Sequence, residues 1–235
     1  GVLGFVGYDH AVAPSTTFVT DMLRKRLLGD VLTIDVEFRQ RWDGIMKAHW
    51  WLKGPEESYL SSTERGGGAS GEHSHASHLW LTFAEAAGCG TFDSVSARFQ
   101  FVKSETVNYD NLAAFALQSK SGMVGRVVQD LVTWPDRKWA RIQGSLGHVE
   151  WHCNGGTDGA DRVVVQLDAE REARVTEFPK KRPDDFYAEI MHMFAVLDGR
   201  IAHDDSPISL RTGVEVMRML QAAHASTSTK VTHDT

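Results

Sequence analysis

Val95-Ser-Ala-Arg-Phe-Gln-Phe-Val102, Leu112-Ala-Ala-Phe-Ala-Leu-Gln118 and Met123-Val-Gly-Arg-Val-Val-Gln-Asp-Leu-Val132 are three short apolar runs in succession, with no helix-length segment between them. Four more follow, at Trp139 to Gln143, Val149 to Trp151, Arg162 to Leu167 and Arg174 to Phe178. Runs of this length bounded by turn residues read as strands, and Lys120-Ser-Gly122, Ser145-Leu-Gly147 and Asn154-Gly-Gly156 supply the turns. Parallel neighbours need a long crossover, so strands this close in sequence form an antiparallel meander.

Helical patterns flank the meander. Phe18, Val19, Met22, Leu23 and Leu27 recur at helical spacing from Thr16 to Leu28 and stop at Gly29. A half-buried strand follows, in which Leu32, Ile34, Val36 and Phe38 alternate with Thr33, Asp35, Glu37 and Arg39. The opening Val2 to Val6 is also strand-like. Residues 41 to 65 are a long excursion whose tryptophans favour an ordered loop. A further helix starts near His73 or Ser74, carries Ala76, Leu79, Trp80, Phe83, Ala84 and Ala87 on one side, and stops at Gly88. At the end, Asp184 or Asp185 is placed to cap Phe186 to Leu197, and Ser209 to cap a run to about Ala223, with a polar, frayed tail from Ser226. The whole predicts one α+β domain, residues 1 to 235: an open, mostly antiparallel β-sheet with helices packed on one face.

Bulk properties exclude several classes. With 235 residues and 42% hydrophobic content the chain can bury a proper core. A net charge of −6 with scattered basic residues gives no footprint for nucleic acid or an anionic membrane. No apolar run reaches a membrane span, and no signal peptide is visible. Two cysteines, Cys89 and Cys153, cannot build a disulfide framework, so a cytoplasmic location is expected. The chain opens on Gly1 without an initiator methionine, which suggests that something upstream has been removed.

Chemistry concentrates in Arg65-Gly-Gly-Gly-Ala-Ser-Gly-Glu-His-Ser-His-Ala-Ser-His-Leu-Trp80. Three readings compete for it. Gly66 to Gly71 satisfies G-x-G-x-x-G, but a dinucleotide fingerprint needs a buried strand before the glycines, and polar Ser61-Ser-Thr-Glu-Arg65 precedes them. His73, His75 and His78 have the spacing of H-x-H-x-D-H, which suits zinc in a hydrolase, yet Ser77 replaces the aspartate and no convincing second cluster follows. A neutral histidine at a helix N-terminus, oriented by Glu72, suits proton removal from a hydroxyl. Plain helix capping is the bland alternative.

Five passages in order bear on the choice: Val6-Gly-Tyr-Asp-His10, Leu28-Gly-Asp-Val31, the glycine run with His75, Ile142-Gln-Gly-Ser-Leu-Gly147, and Asp185-Phe186 with Pro207-Ile208 before the last helix. They resemble, in the same order, V-G-Y-N-H-R-F, G-x-[IL]-G-x-[IV], G-G-G-x-x-x-D-x-G-x-H-x-x-D, I-x-G-t-x-G and the closing helices of the C-terminal domain of the glucose–fructose oxidoreductase/inositol dehydrogenase (Gfo/Idh/MocA) family. The resemblance covers nearly the whole chain. It implies the substrate half of an oxidoreductase that acts on a sugar or polyol, with NAD or NADP held mainly by an N-terminal Rossmann domain, and its E-K-P lysine, outside this chain. It also implies a homo-oligomer formed through the open sheet face.

The same resemblance makes His75 the proton-transfer group, with Glu72 as its orienting partner. The family's aspartate falls on Gly71 when counted back from His75, His78 replaces a second aspartate, and Ala11 stands where arginine is usual. Asp9, His10, Arg41, Trp42, Trp50, Trp51, Lys53 and His78 are the candidates for the substrate wall, since charged groups and aromatic faces suit hydroxyl-rich ligands. Core packing is the other reading of the tryptophans. No metal is expected in this reading, and a non-catalytic ligand-binding or dimerisation module, or a zinc hydrolase using the three histidines, remain the alternatives.

Overall fold

The structure, a computed structural model, describes residues 2–181 and 183–227. Helix α1 (Pro14–Arg24) leads to strand β1 (Val31–Arg39), then to α2 (Trp42–Ala48), α3 (Gly68–Glu72) and α4 (His75–Ala86). The strand run is β2 (Phe92–Lys103), β3 (Asn108–Ser119), β4 (Val124–Asp130), β5 (Arg137–Gly144), β6 (Gly147–His152), β7 (Asp161–Leu167) and β8 (Arg174–Phe178). Helices α5 (Asp184–Leu197) and α6 (Leu210–Ser226) close the chain.

The strands form one eight-stranded sheet among the described residues, in the order β2-β3-β4-β1-β5-β6-β7-β8. The meander is therefore split in the middle, because β1 inserts between β4 and β5. It runs parallel to β4 and antiparallel to β5. The expected α+β class, with an open and mostly antiparallel sheet, holds. On β1 the alternation works as its sequence implies: Ile34, Val36 and Phe38 are buried against the helices, while Asp35 and Glu37 face the other way. There they meet Arg126 and Arg137 in a charged ladder, which explains why that face needs no helical cover.

The covered face packs against Val19, Met22 and Leu23 of α1, Leu79, Trp80 and Phe83 of α4, and Val216, Met219 and Leu220 of α6. Trp80 is fully buried and donates its indole N–H to the Ile34 carbonyl at 3.1 Å. A Cβ on Gly125, paired with Ile34, would come within 2.6 Å of that indole nitrogen, so glycine is what lets the ring lie on the sheet.

Several boundaries differ from the sequence reading for identifiable reasons. The opening Val2 to Val6 forms only an isolated bridge, Phe5 to Ser209. The excursion at 41 to 65 contains α2 and three short 3-10 turns, since Trp42, Ile45 and Met46 pack at helical spacing onto Leu60, Tyr109 and Leu131 in a second small core. Neither aspartate caps α5: Asp184 accepts from the Lys181 N–H, and Asp185 binds Lys180. Ser209 does cap α6, accepting from the Thr212 N–H. From residue 228 the polar tail lies outside the described residues. Among those residues no helix is long and apolar enough to cross a membrane, and both cysteines are free.

Candidate active site

The inward stripe of the central strands changes character at one end of the sheet. After Ile34, Val36 and Phe38 the same alternation reaches Gln40; on β5, Ile142 and Ala140 give way to Lys138; on β4, Val127 gives way to Gln129. These ends are neighbours, because Phe38 pairs with both Gln129 and Lys138. Polar side chains at inward positions mark where the core stops. Against that end lie α3, the N-terminus of α4, and a 3-10 turn over Asp9–Val12, around a cavity of about 690 Å³.

The glycine segment shapes this cavity by packing closely on its own surroundings. A Cβ on Gly67 would sit 2.2 Å from the Tyr59 carbonyl oxygen, one on Gly71 would sit 1.9 Å from that of Gly66, and one on Gly68, at φ +84°, would sit 2.2 Å from Asp110 Oδ1. Asp110 is fully buried and accepts from the Ser70 N–H at 2.7 Å and the Ser70 hydroxyl at 3.1 Å. Protein atoms thus occupy the space that a pyrophosphate would need, and the segment is a short helix, α3, rather than a dinucleotide cradle.

His75, the first residue of α4, stands on the cavity floor. Its Nδ1 lies 3.6 Å from Oδ1 of Asp9, and His10 Nδ1 approaches the same oxygen at 3.9 Å. Asp9 Oδ1 also accepts the His10 backbone N–H at 2.8 Å. Aromatic rings fix the imidazole: Tyr8 meets it edge-on at 5.2 Å between centres, and Phe38 lies parallel at 6.2 Å. The His75 side chain keeps 28% of its surface open, while its Nδ1 is buried without a hydrogen bond, so Nε2 is the nitrogen that reaches the cavity.

Burial holds the floor imidazoles neutral. It lowers His75 to about 3, helped by the positive charge of Lys138, and lowers His10 well below its ordinary value, again with Lys138 as the next cause. Burial raises Asp9, against the pull of the His10 N–H, Lys138 and Lys180. Glu189, buried on α5, is raised by burial and by the charge of Asp9.

Five of the candidate site residues singled out in the sequence line the cavity: Asp9, His10, Glu72, His73 and His75. Glu72 does not touch His75; its Oε2 accepts from the Tyr59 hydroxyl at 3.4 Å, and burial raises its carboxyl. The carboxylate beside His75 is Asp9. The others lie elsewhere. His78 is buried, stacks on Tyr8 at 4.0 Å between centres and pairs its Nε2 with the Pro207 carbonyl at 2.6 Å. Trp42 donates to the Tyr109 hydroxyl at 3.1 Å in the small core. Arg41 pairs with Asp43 and lies over Trp134, Trp50 and Trp51 are exposed, and Lys53 is an exposed residue whose backbone N–H donates to Glu57. The tryptophans of the excursion therefore divide between core packing and exposure, and none reaches the cavity.

Lys138, Gln40, Lys180 and His49 line the cavity and were not anticipated. For Lys138 a signal existed. It occupies the inward register of Ala140 and Ile142, where a lysine breaks an apolar alternation.

The zinc reading of His73, His75 and His78 does not fit, because their nitrogens do not converge among the described residues and His78 Nε2 is taken by the Pro207 carbonyl. Among the described residues the one convergent donor set is Asp9, His10 and His75, with ligand atoms within 4.8 Å of one another. The Lys138 ammonium, 3.5 Å from His10 Nε2, makes that pocket unfavourable for a second cation.

No family model and no curated protein matches the chain, but solved structures do. An NAD binding oxidoreductase from Klebsiella pneumoniae is similar at a TM-score of 0.75 and 14% identity, over 100% of this chain and 68% of that one. An aldose-aldose oxidoreductase from Caulobacter crescentus, complexed with glycerol, is similar at 0.73 and 16%, over 95% and 61%. An inositol dehydrogenase homolog from Azotobacter vinelandii, complexed with NAD+, gives 0.69 and 15%, over 95% and 62%. The chain spans 61–68% of the length of these proteins and shares its fold with that part of them. The motif order thus led to the right fold, that of Gfo/Idh/MocA-type oxidoreductases.

Proposed function

We propose that this chain is the substrate-binding and proton-transfer domain of an NAD(P)-dependent oxidoreductase acting on a hydroxyl of a sugar or polyol. The observation that carries this reading is the Asp9–His75 pair on the floor of a cavity, in a fold shared with an aldose-aldose oxidoreductase and an inositol dehydrogenase homolog. Oxidising a secondary alcohol removes a proton from oxygen while a hydride leaves carbon. His75 Nε2, neutral and open to the cavity, takes the proton. The imidazolium that forms faces Asp9, whose carboxylate stabilises it and holds the Nδ1–H tautomer. Their 3.6 Å separation shortens as charge develops on the ring. Gln40, Glu72 and His10 supply polar contacts for the remaining hydroxyls.

The hydride acceptor is assigned to a nucleotide-binding domain outside this chain, because the glycine segment here is filled by protein atoms. By itself the 235-residue chain is expected to bind neither NAD nor NADP tightly. The deciding experiment replaces His75 by alanine in the protein that carries both domains and follows NAD(P)H absorbance on a panel of sugars and polyols. A loss of about 10²–10⁴-fold in turnover is expected, the usual weight of a positioned acid–base group. Unchanged turnover would sink the reading.

A further inference from the structure

Three lysines line the cavity, and their surroundings differ: Lys181 is exposed, so water screens its charge. Lys180 is clamped by Asp161 and Asp185, each at 2.8 Å. Lys138 has no carboxylate at ion-pair distance among the described residues; its ammonium lies 3.5 Å from His10 Nε2 and 5.4 Å from the centre of the Phe38 ring. A neutral imidazole lone pair and an aromatic face hold an ammonium in place without cancelling its charge. The nearest acid on the floor, Asp9, is occupied with the His10 N–H and faces two imidazoles. Burial, with the charge of Lys138 as the next cause, keeps His10, His73 and His75 neutral, so no imidazolium competes with it.

We infer that the substrate is a sugar acid, whose carboxylate is bound by Lys138 while a ring hydroxyl meets His75. Asp9 and Glu72 act on this partly desolvated ammonium only from beyond ion-pair distance, so a ligand that brings a carboxylate into contact gains the direct pairing they leave unmade. One ammonium matches a carboxylate. A phosphate ester would carry more charge and more acceptors than this position satisfies. His10 neighbours both groups, its ring centre 5.2 Å from that of His75 and its Nε2 3.5 Å from the ammonium, which puts the lysine and His75 on one small site. The inference rests on the proposed function only for where the substrate sits.

The test is calorimetric titration of the chain with D-glucuronate, D-glucose and D-glucose 6-phosphate. Glucuronate is expected to bind about tenfold or more tightly than glucose, the scale of one charged hydrogen bond. Lys138→Met should bring the two within about twofold, and Lys138→Arg should restore most of the preference, with circular dichroism confirming that both variants fold. His75→Ala should keep the preference, so a failure of the dehydrogenase reading and a failure of this one give different results. Equal affinities, no binding of glucuronate, tighter binding of the phosphate ester, or a preference that survives Lys138→Met would each overturn it.

Discussion

The glycine segment at 66 to 71, which leads directly to the cavity residue Glu72, and the turn at Asp9–Val12, which supplies Asp9 and His10, are built on opposite principles. In the first, absent side chains at Gly67, Gly68 and Gly71 let backbone lie on backbone and on Asp110, and Gly66 takes a left-handed turn at φ +85°. In the second, an unremarkable stretch buries a carboxylate and an imidazole that the core does not need. A conspicuous motif therefore serves backbone packing, and a short turn carries the buried polar groups. Glycine patterns report backbone proximity first, and what the backbone approaches has to be read from the fold.

The comparison breaks most visibly if the two carboxylates trade roles. Asp9→Asn keeps the shape of the turn and removes the charge opposite His75. The fall in kcat should be about 10²-fold or more, with KM moving less than about threefold, because the charge matters when the imidazolium forms. Glu72→Gln, on the glycine side, should change kcat by less than about threefold, since its partner is the Tyr59 hydroxyl. Steady-state kinetics on the two-domain protein checks both. Equal losses from the two variants would return the orienting role to Glu72.

The converse variant probes stability. A methyl group at position 71 would lie 1.9 Å from the Gly66 carbonyl oxygen, so Gly71→Ala must push α3 away from the turn before it. Overpacking of this kind costs about 1–3 kcal/mol, several degrees of Tm in a chain of this size. Folded protein should keep most of its turnover, because the Asp9–His75 contact does not pass through Gly71. Differential scanning calorimetry alongside an activity assay separates the two quantities. A variant as stable as its parent but inactive would give the glycine segment a chemical role.

What could be read in the sequence follows the range of the interactions. The strand run, β1 and α4 were legible because each is written in local periodicity, and their faces follow from that period. The insertion of β1 between β4 and β5 was not, because a parallel pairing leaves no turn signature. His75 was singled out through the resemblance carried by the glycine run before it, and the structure places it on the cavity. Asp9 was taken for substrate wall and Glu72 for the partner of His75, since adjacency in sequence was the only guide to adjacency in space. Lys138 was legible in principle, as a lysine in the inward register of Ala140 and Ile142, but its meaning depends on Phe38 being its neighbour.

His78, beside the turn, and Asp110, under the glycine segment, titrate in opposite senses, which offers the gentlest test of the contrast. His78, stacked on Tyr8 beside the turn, is held at about 3 by burial, against about 6.5 in the unfolded chain. The unfolded state therefore binds more protons between those values. The histidine's contribution to stability is complete above about pH 6.5 and is lost as pH falls toward 3, at up to about 1.4 kcal/mol per pH unit. Asp110, which anchors the glycine segment, is raised by burial from 3.8 to about 6. Its folded form holds the proton more tightly, so its contribution is present at low pH and is lost as pH rises through that window. Asp9, Glu72 and Glu189, also raised by burial, act in the same direction as Asp110. In the parent protein the two sets oppose each other, and single variants expose them. Between pH 6 and 4, Asp110→Asn should steepen the acid loss of urea stability and His78→Phe should flatten it, each by up to about 1.4 kcal/mol per pH unit. Slopes that shift in the same direction for both variants would show that His78 and Asp110 are not buried with opposite preferences for the proton.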